Sequence, residues 1–332
     1  MRSSRKTQRR RSCGGMGSQN GEGMKDSEVS EQGSGAVPLR ASLILAGLCL
    51  LWGGNLVSIK ISNQGIPPLL GAVARSCVAS LLIWVYARSR REDIFFLRKD
   101  LRHAVVIGVL FGVEFVFLYW GLVFTHASRG IIFFYTQPFW TAIGAHFLLT
   151  GDRLNSAKVG GLVLAFLGLV SVFWARSAEL GPLYWLGDLM QVGGGFCWAA
   201  TTIYVKRIVA GRDYTHYQTL FSQLFFSIPV LGVAWLIFQR AEPVALTGLV
   251  AGAFFYQAVI VASFSYLAWF WMIHRYSVSR LASFTFLSPL FGVILSGLVL
   301  KEAIPLLLWA GLVLVGAGIY LVNRPQRAAS PA

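Results

Sequence analysis

Ten runs of predominantly apolar residues follow one another between residues 42 and 322. Each is close to the roughly 20 residues that a bilayer core requires of a helix. They predict spanning helices over 42–61, 67–86, 104–123, 130–149, 157–175, 185–205, 217–238, 248–270, 281–300 and 304–322. The polar stretches between them are short, the longest being 87–103, so no soluble domain fits among them. Residues 1–40 break the pattern: they are rich in Ser, Gly, Arg and Lys and poor in large apolar side chains. Such an arm has too little to bury and is expected to be disordered. Met16 and Met24 lie within it as alternative starts. The run that follows is too long for a secretory signal core and lacks an A-x-A-like cleavage site, so it reads as the first span. The predicted class is an all-α polytopic membrane protein.

Composition sharpens this. Of the 332 residues, 55% are hydrophobic and only 13% charged, against about 25% charged in average soluble domains. Twenty-nine Lys+Arg against 14 Asp+Glu leave a net charge of +15. The charges sit in short loops rather than in a basic, aromatic-interleaved module, which excludes nucleic acid as a partner. Their placement alternates. The 87–103 loop carries Arg88, Arg90, Arg91, Arg98, Lys99 and Arg102. On the same side fall Arg153 and Lys158, then Lys206, Arg207 and Arg212, then Arg275 and Arg280, then Arg324 and Arg327. The opposite loops carry one basic residue or none: Arg129, Arg176, Arg240 and Lys301. The positive-inside rule then puts both termini in the cytoplasm; the membrane expected for such a chain is the inner (cytoplasmic) one. The four cysteines (Cys13, Cys49, Cys77, Cys197) have no metal or disulfide spacing.

The two halves of the chain match. Trp120 corresponds to Trp271, Ser128–Arg129 to Ser279–Arg280 and Pro138 to Pro289, all at an offset of 151. After one extra residue the offset is 150, pairing Asp152 with Glu302, Gly161 with Gly311 and Gly168 with Gly318. Earlier, Trp52 and Lys60 correspond to Trp198 and Lys206 at 146. A repeat of five helices is odd-numbered, so the second copy lies upside down relative to the first. Ten helices as two inverted five-helix repeats are a transporter architecture, because two near-equivalent halves can exchange conformations. An old duplication kept only for packing is the alternative.

Here the chain resembles EamA-type permeases of the drug/metabolite transporter superfamily. The resemblance rests on Leu51-Trp52-Gly53-Gly54-Asn55 with Lys60, on Arg75, and on the run from Ser128 through Pro138 to Gly151-Asp152-Arg153-Leu154 with its echo from Ser279 through Pro289 to Lys301-Glu302. It departs at Asp152, one residue late, where that family usually has Glu. It covers about residues 42–322, with a first EamA-like repeat over 41–176, a second over 184–323 and a cytoplasmic tail over 324–332. The resemblance implies a central cavity lined by helices three, four, eight and nine with part of one and six, and favours export.

Two charges lie deep in the spans. Arg75 is eight residues from Pro67 and Glu114 nine from Val123, so each sits roughly 12–14 Å in at about 1.5 Å per residue. They either neutralise each other as a buried pair that pins helices two and three, or act on solute. In the second case Arg75 attracts an anionic group and Glu114 binds a cation or carries a proton. Asn55, Gln137, Gln191, Gln223 and Gln257, with Tyr119, Tyr135 and Tyr256, suit either a polar solute or helix–helix contacts. Among these, Asn55 beside Gly53-Gly54 and Gln137 beside Pro138 stand where glycine or proline loosens a helix and frees backbone groups. Pro138 and Pro289 are candidate hinges, read as mid-helix kinks. The paired glycines of helices five and ten read as packing positions. Most of the aromatic residues are expected to face lipid; an aromatic-walled cavity is the alternative for those crowding helices four and eight.

No GxxxxGK[ST], HExxH or GxSxG motif occurs, and the five histidines are scattered. No catalytic residue, metal or cofactor is implied, and a proton or solute gradient must supply any driving energy. The predicted function is a secondary transporter, an exporter of a small metabolite such as an amino acid, working as a monomer or homodimer by alternating access. A membrane-embedded enzyme and a non-transporting scaffold or sensor are the rival classes.

Overall fold

The computed structural model describes residues 37–96, 98–125, 127–173, 182–301 and 306–324. Expectations about residues 1–36, Arg176, Glu302, the tail from 325, and the side chains of Ser128 and Arg129 lie outside the described residues. Everything regular among the described residues is helical. Helices α1 (Leu39–Ser62), α2 (Pro68–Ser89) and α3 (Leu101–Phe124, entered by the 3₁₀ turn Arg98–Asp100) open the chain. They are followed by α4 (Ala127–Phe134), α5 (Gln137–Leu148) and α6 (Ser156–Phe173). The second half holds α7 (Tyr184–Val209), α8 (His216–Phe238) and α9 (Gly248–Phe255), which runs through a π-helical stretch (Tyr256–Ser265) into α10 (Tyr266–Arg275). Last come α11 (Val278–Phe284), α12 (Leu287–Leu300) and α13 (Leu307–Asn323).

Among the described residues, six helical segments are long and apolar enough to cross a membrane: Leu39–Ser62, Pro68–Ser89, Arg98–Leu122, His216–Phe238, Gly248–Arg275 and Val278–Val299. Two further apolar helices, Ser156–Val172 and Leu307–Asn323, are shorter. Helix α7 is 26 residues long but is diluted by Asp188, Gln191, the glycines at 193–195, and Lys206 and Arg207. The protein is therefore a multi-pass membrane protein. Its outer face agrees, since Phe147 (77% exposed), Leu298 (70%), Val313 (72%) and Phe264 (69%) project outward, where lipid replaces water. Polar side chains are held inside: Arg75, Gln137, Gln191, Thr219 and Ser265 are at most 1% exposed.

The fourth and ninth apolar runs are broken helices, where continuous ones with kinks were expected. Pro138 has no N–H and its ring would clash with the carbonyl four residues back. The chain gives up the helix at Tyr135–Thr136 and restarts with Pro138 in the first turn of α5, where the missing donor costs nothing. In the same way the turn at Thr285–Phe286 precedes α12, which carries Pro289 in its first turn. A threonine closes each break: Thr136 Oγ1 donates to the Phe133 carbonyl (2.7 Å) and Thr285 Oγ1 to that of Ala282 (2.7 Å). The π-helical stretch of the eighth run was not anticipated. Hydroxyls support it, with Ser263 Oγ donating to the Ala258 carbonyl (2.8 Å) and Ser265 Oγ to that of Val261 (2.7 Å).

Helix pairing has a regular form. Helix α3 packs along α7 and α8, while the α9–α10 rod packs along α1 and α2; α1 packs against α12, and α7 against α4 and α5. Helices α2 and α8 pair with each other, as do α6 and α13. The last pair runs on glycine: a Cβ on Gly168 would stand 2.8 Å from the Gly311 carbonyl oxygen, and one on Gly311 would stand 2.8 Å from that of Gly168. Helix α1 is unbroken through Gly53–Gly54, so these glycines do not loosen it. A Cβ on Gly53 would lie 2.7 Å from the Gly292 nitrogen, so this glycine serves the close approach of α12.

Candidate functional site

The halves of the chain meet around a cavity of about 100 Å³ at the centre of the bundle. Helix α1 contributes Trp52, Asn55, Leu56 and Ile59; α3 contributes Phe111, Glu114, Phe115 and Leu118; Phe134 and Tyr135 come from the α4 break. From the second half come Trp198, Thr201 and Thr202 of α7, Gln223 of α8, and Tyr266, Trp269, Phe270 and Ile273 of α10. The walls are mostly aromatic, with a few polar groups converging on them, which is the usual make-up of a small-molecule site. Trp52 is the hub. Its ring meets Trp269 edge-on (5.2 Å between centroids), Trp198 (6.1 Å) and Tyr266 (6.4 Å). Its indole Nε1 donates to Ser265 Oγ at 3.0 Å, on the π-helical stretch. That stretch therefore orients the aromatic wall of α10.

Glu114 is 5% exposed and faces this cavity. Arg75 is 1% exposed, and none of its guanidinium nitrogens has a hydrogen-bond partner. Its charge lies 4.2 Å over the face of Phe115, beside Tyr266. No ion pair joins Arg75 to Glu114 among the described residues. The expected contact between two opposite charges is replaced by a cation–π contact, with the Phe115 ring at the cavity wall.

The other candidates divide. Asn55 lines the cavity, and its Oδ1 is buried without a partner; Gln223 lines it too. Gln137 is wholly buried behind the wall, where Nε2 donates to Thr141 Oγ1 (2.8 Å) and Oε1 has no partner. Tyr119 packs on Phe115 (5.8 Å between centroids) without reaching the cavity. Tyr256 and Gln257 are helix-contact residues. The Tyr256 hydroxyl donates to the Leu51 carbonyl (3.0 Å), and Gln257 Nε2 to the Ser58 carbonyl (3.1 Å) and Ser62 Oγ (2.7 Å). Gln191 does the same job, donating to the Leu118 carbonyl at 2.9 Å. Sequence reasoning missed Trp52, Trp198, Trp269, Thr201, Thr202 and Tyr266 as cavity residues. For the tryptophans at 52 and 198 a signal existed, their correspondence in the repeat; for the others none did.

A polar cluster joins the halves at the end of the bundle where α5 gives way to α6. Asp152 pairs with Lys158 (2.7 Å) and accepts from both the hydroxyl and the backbone N–H of Ser279 (N–H···O 3.1 Å), at the start of α11. Lys158 Nζ also reaches Ser279 Oγ at 3.1 Å. Burial works to raise the Asp152 carboxyl, but the Lys158 charge and the bonds from Lys158 and Ser279 outweigh it and hold the group below its ordinary range. Nearby, Lys206 Nζ caps α10 by donating to the carbonyls of Ile273 (2.8 Å) and His274 (3.3 Å).

The comparisons with known proteins agree with this geometry. The model of the EamA-like transporter family matches residues 39–174 and again 185–324. An uncharacterized transporter of Bacillus subtilis, YoaV, is 21% identical over 284 residues, covering 85% of this chain and 96% of the relative. The protein named "Probable amino-acid metabolite efflux pump" in Escherichia coli is 27% identical over 281 residues, covering 82% of this chain and 91% of that one. A solved crystal structure superposes with a TM-score of 0.73 at 17% identity, covering 86% of this chain and 96% of its own, a likeness of fold. With a family match over most of its length, the chain belongs to the EamA-like transporter family and is a transporter rather than an enzyme.

Proposed function

We propose that this protein exports a small amphipathic metabolite, an amino acid or a related solute, across the cytoplasmic membrane by alternating access. In this reading the chain has ten spans in two inverted repeats of five, both termini are cytoplasmic, and the solute occupies the aromatic cavity between the halves. The helix pairing supports the repeat. If the two halves are exchanged, α3 with α7 and α8 becomes the α9–α10 rod with α1 and α2, and both sets are packed pairs. The same exchange turns the α1–α12 contact into the contact of α7 with α5.

The observation that carries the reading is Glu114: a cavity-facing carboxylate without an ion pair, among Trp52, Trp198, Tyr266 and Trp269. Such a group can take an ammonium, while the aromatic faces take the rest of an amphipathic solute. It can equally release and rebind a proton as the site changes sides, coupling export to a gradient. Asn55 and Gln223 offer hydrogen bonds to the same solute. Pro138 and Pro289, in the first turns after the two breaks, mark where the halves flex. Transport itself needs no covalent chemistry, only unequal binding to two states.

The test is an export and resistance panel in cells expressing wild type or Glu114→Gln, challenged with amino acids, their toxic analogues, nucleosides and cationic drugs. Protection by the wild type with lower internal solute, lost in the variant at equal membrane expression, is the expected result. Full protection by the variant removes Glu114 from the mechanism.

A further inference from the structure

Away from the central cavity, the end of α2 forms a second one, about 560 Å³, lined by Trp84, Arg88, Arg91, Glu92, Asp93, Ile94 and Phe95. It lies where a membrane boundary must fall. Trp84 is 16 residues into α2 from Pro68, or about 24 Å along the helix, and Leu81, Trp84, Val85 and Tyr86 are all exposed. Tryptophan and tyrosine at that level are the mark of the headgroup region. Beyond them every exposed residue up to Asp93 is polar or charged.

The backbone here is unusual. Glu92 N donates to the Ala87 carbonyl (2.9 Å) and Arg91 N to that of Arg88 (3.2 Å), the two bonds of a Schellman ending. The residue after the cap in such an ending is left-handed and usually glycine, because a side chain there is strained. In this chain it is Arg91, with φ at +57°. An arginine kept where glycine fits best, with its side chain lining a cavity, is a backbone outlier of the kind that accompanies binding. The charges lining the cavity are also balanced: two guanidiniums, Arg88 and Arg91, and two carboxylates, Glu92 and Asp93. No ion pair joins one set to the other among the described residues.

We infer that this cavity binds the headgroup of phosphatidylethanolamine, with its phosphate on Arg88 and Arg91 and its primary ammonium on Glu92 and Asp93. Guanidinium groups bind phosphate through paired hydrogen bonds. An ammonium donates to carboxylates where a trimethylammonium cannot. A neutral set of two cations and two anions matches a zwitterion better than an anionic lipid, so the site discriminates by headgroup rather than by net charge. The exposed faces of Trp84 and Leu81 are placed to lie along the lipid's upper acyl chain.

The experiment uses the full chain in nanodiscs of phosphatidylcholine with equal fractions of phosphatidylethanolamine and phosphatidylglycerol, with retained lipid counted by native mass spectrometry. Wild type should retain phosphatidylethanolamine about fivefold over either other lipid, and Glu92→Gln combined with Asp93→Asn should bring the ratio near unity. Arg88→Gln and Arg91→Gly, which remove contacts to the phosphate that all three lipids carry, should each lower retention of every lipid. Arg91→Gly places glycine where the backbone favours it, so its thermal stability in detergent should equal or exceed that of the wild type, which separates lost binding from lost fold. Equal retention of the three lipids, a preference for phosphatidylglycerol, an unchanged ratio in the Glu92→Gln/Asp93→Asn variant, or unchanged lipid retention in Arg91→Gly would each overturn the assignment. So would soluble phosphoethanolamine binding as tightly as the lipid in discs of phosphatidylcholine alone.

Discussion

Trp52 and Trp198 meet edge to face in the wall of the central cavity, with ring centroids 6.1 Å apart and planes inclined by 73°. They are also the residues that correspond to each other across the internal repeat. Two positions related by a two-fold axis can touch each other only beside that axis. In the inverted-repeat arrangement proposed above, their contact would put the cavity beside that axis, where both halves could gate it in turn. Trp52 is additionally tied to Ser265 by its indole N–H. Replacing Trp52 with Phe keeps a ring but drops that bond, and should cost about 1 kcal/mol. Ser265→Ala should cost a similar amount, and the double variant no more than the larger single loss. Thermal melts of the four proteins in detergent read this directly; full additivity would mean the bond contributes nothing.

The reciprocal approach of Gly168 and Gly311 makes a second prediction. A side chain at either position runs into the partner's carbonyl at 2.8 Å, which α6 and α13 can relieve only by moving apart. Gly168→Val and Gly311→Val should each destabilise by about 2 kcal/mol or more, in the range of overpacked cores. Gly160 and Gly316, on the same two helices, have nothing within 4 Å of a built Cβ. Gly160→Val and Gly316→Val should melt close to wild type or slightly above it, because valine is the better helix former. Equal losses at all four positions would mean that the helices, not their contact, are being disturbed.

Apolar run length was enough to place the rods, since α1, α2, α3 and α8 begin and end within three residues of the runs that foretold them. What run length cannot report is a break inside an apolar stretch. Pro138 was visible, but whether proline bends a helix or divides it depends on whether neighbours accept the freed carbonyls, as Thr136 and Thr285 help to do. The candidate site was legible in Glu114 and in the polar positions Asn55, Tyr135 and Gln223, and not in most of its aromatic wall. Glu114 stood out because a carboxylate in an apolar run is costly, whereas Trp269 and Tyr266 look in the sequence like any interfacial aromatic. Their direction is set by the π-helical stretch ahead of them, and residues 256–265 carry no motif for it. Gln257 and Tyr256 were plausible as ligands by type and turned out to bind neighbouring helices, a choice that hydrogen-bonding capacity alone leaves open.

Arg75 is held by an aromatic face rather than by a carboxylate, and a pair of double-mutant cycles distinguishes the two. Coupling between Arg75 and Phe115, measured with Arg75→Met and Phe115→Leu, should be about 1–2 kcal/mol, as for a desolvated cation–π contact. Glu114→Gln alone should leave the melting temperature nearly unchanged. Breaking a buried ion pair by removing one partner instead costs about 3–5 kcal/mol. A loss of that size in Glu114→Gln would mean that the two charges are paired in the membrane after all.

The cluster of Asp152, Lys158 and Ser279 ties the first half to the start of α11 and leaves a signature in pH. The Asp152 carboxyl is held below its ordinary value of 3.8, so the folded protein binds that proton less readily than the unfolded chain does. The stabilisation is then complete above about pH 5 and is lost as pH falls through 3.8 towards the lower folded value. Asp152→Asn removes it at every pH. Melting temperatures of wild type and Asp152→Asn should differ by a constant amount between pH 5 and 7 and converge below pH 4, with Lys158 left uncompensated in the variant. In the position that corresponds to Lys158 the second half has Leu308, buried at 0% exposure, so the lysine of this pair has no counterpart there. Lys158→Leu should therefore raise the labelling rate of a cysteine introduced at Ser277, beside the cluster, and leave unchanged that of one at Gln239, towards the opposite end of α8. Equal changes at both ends would make the cluster a general stabiliser instead of a tie that closes one side.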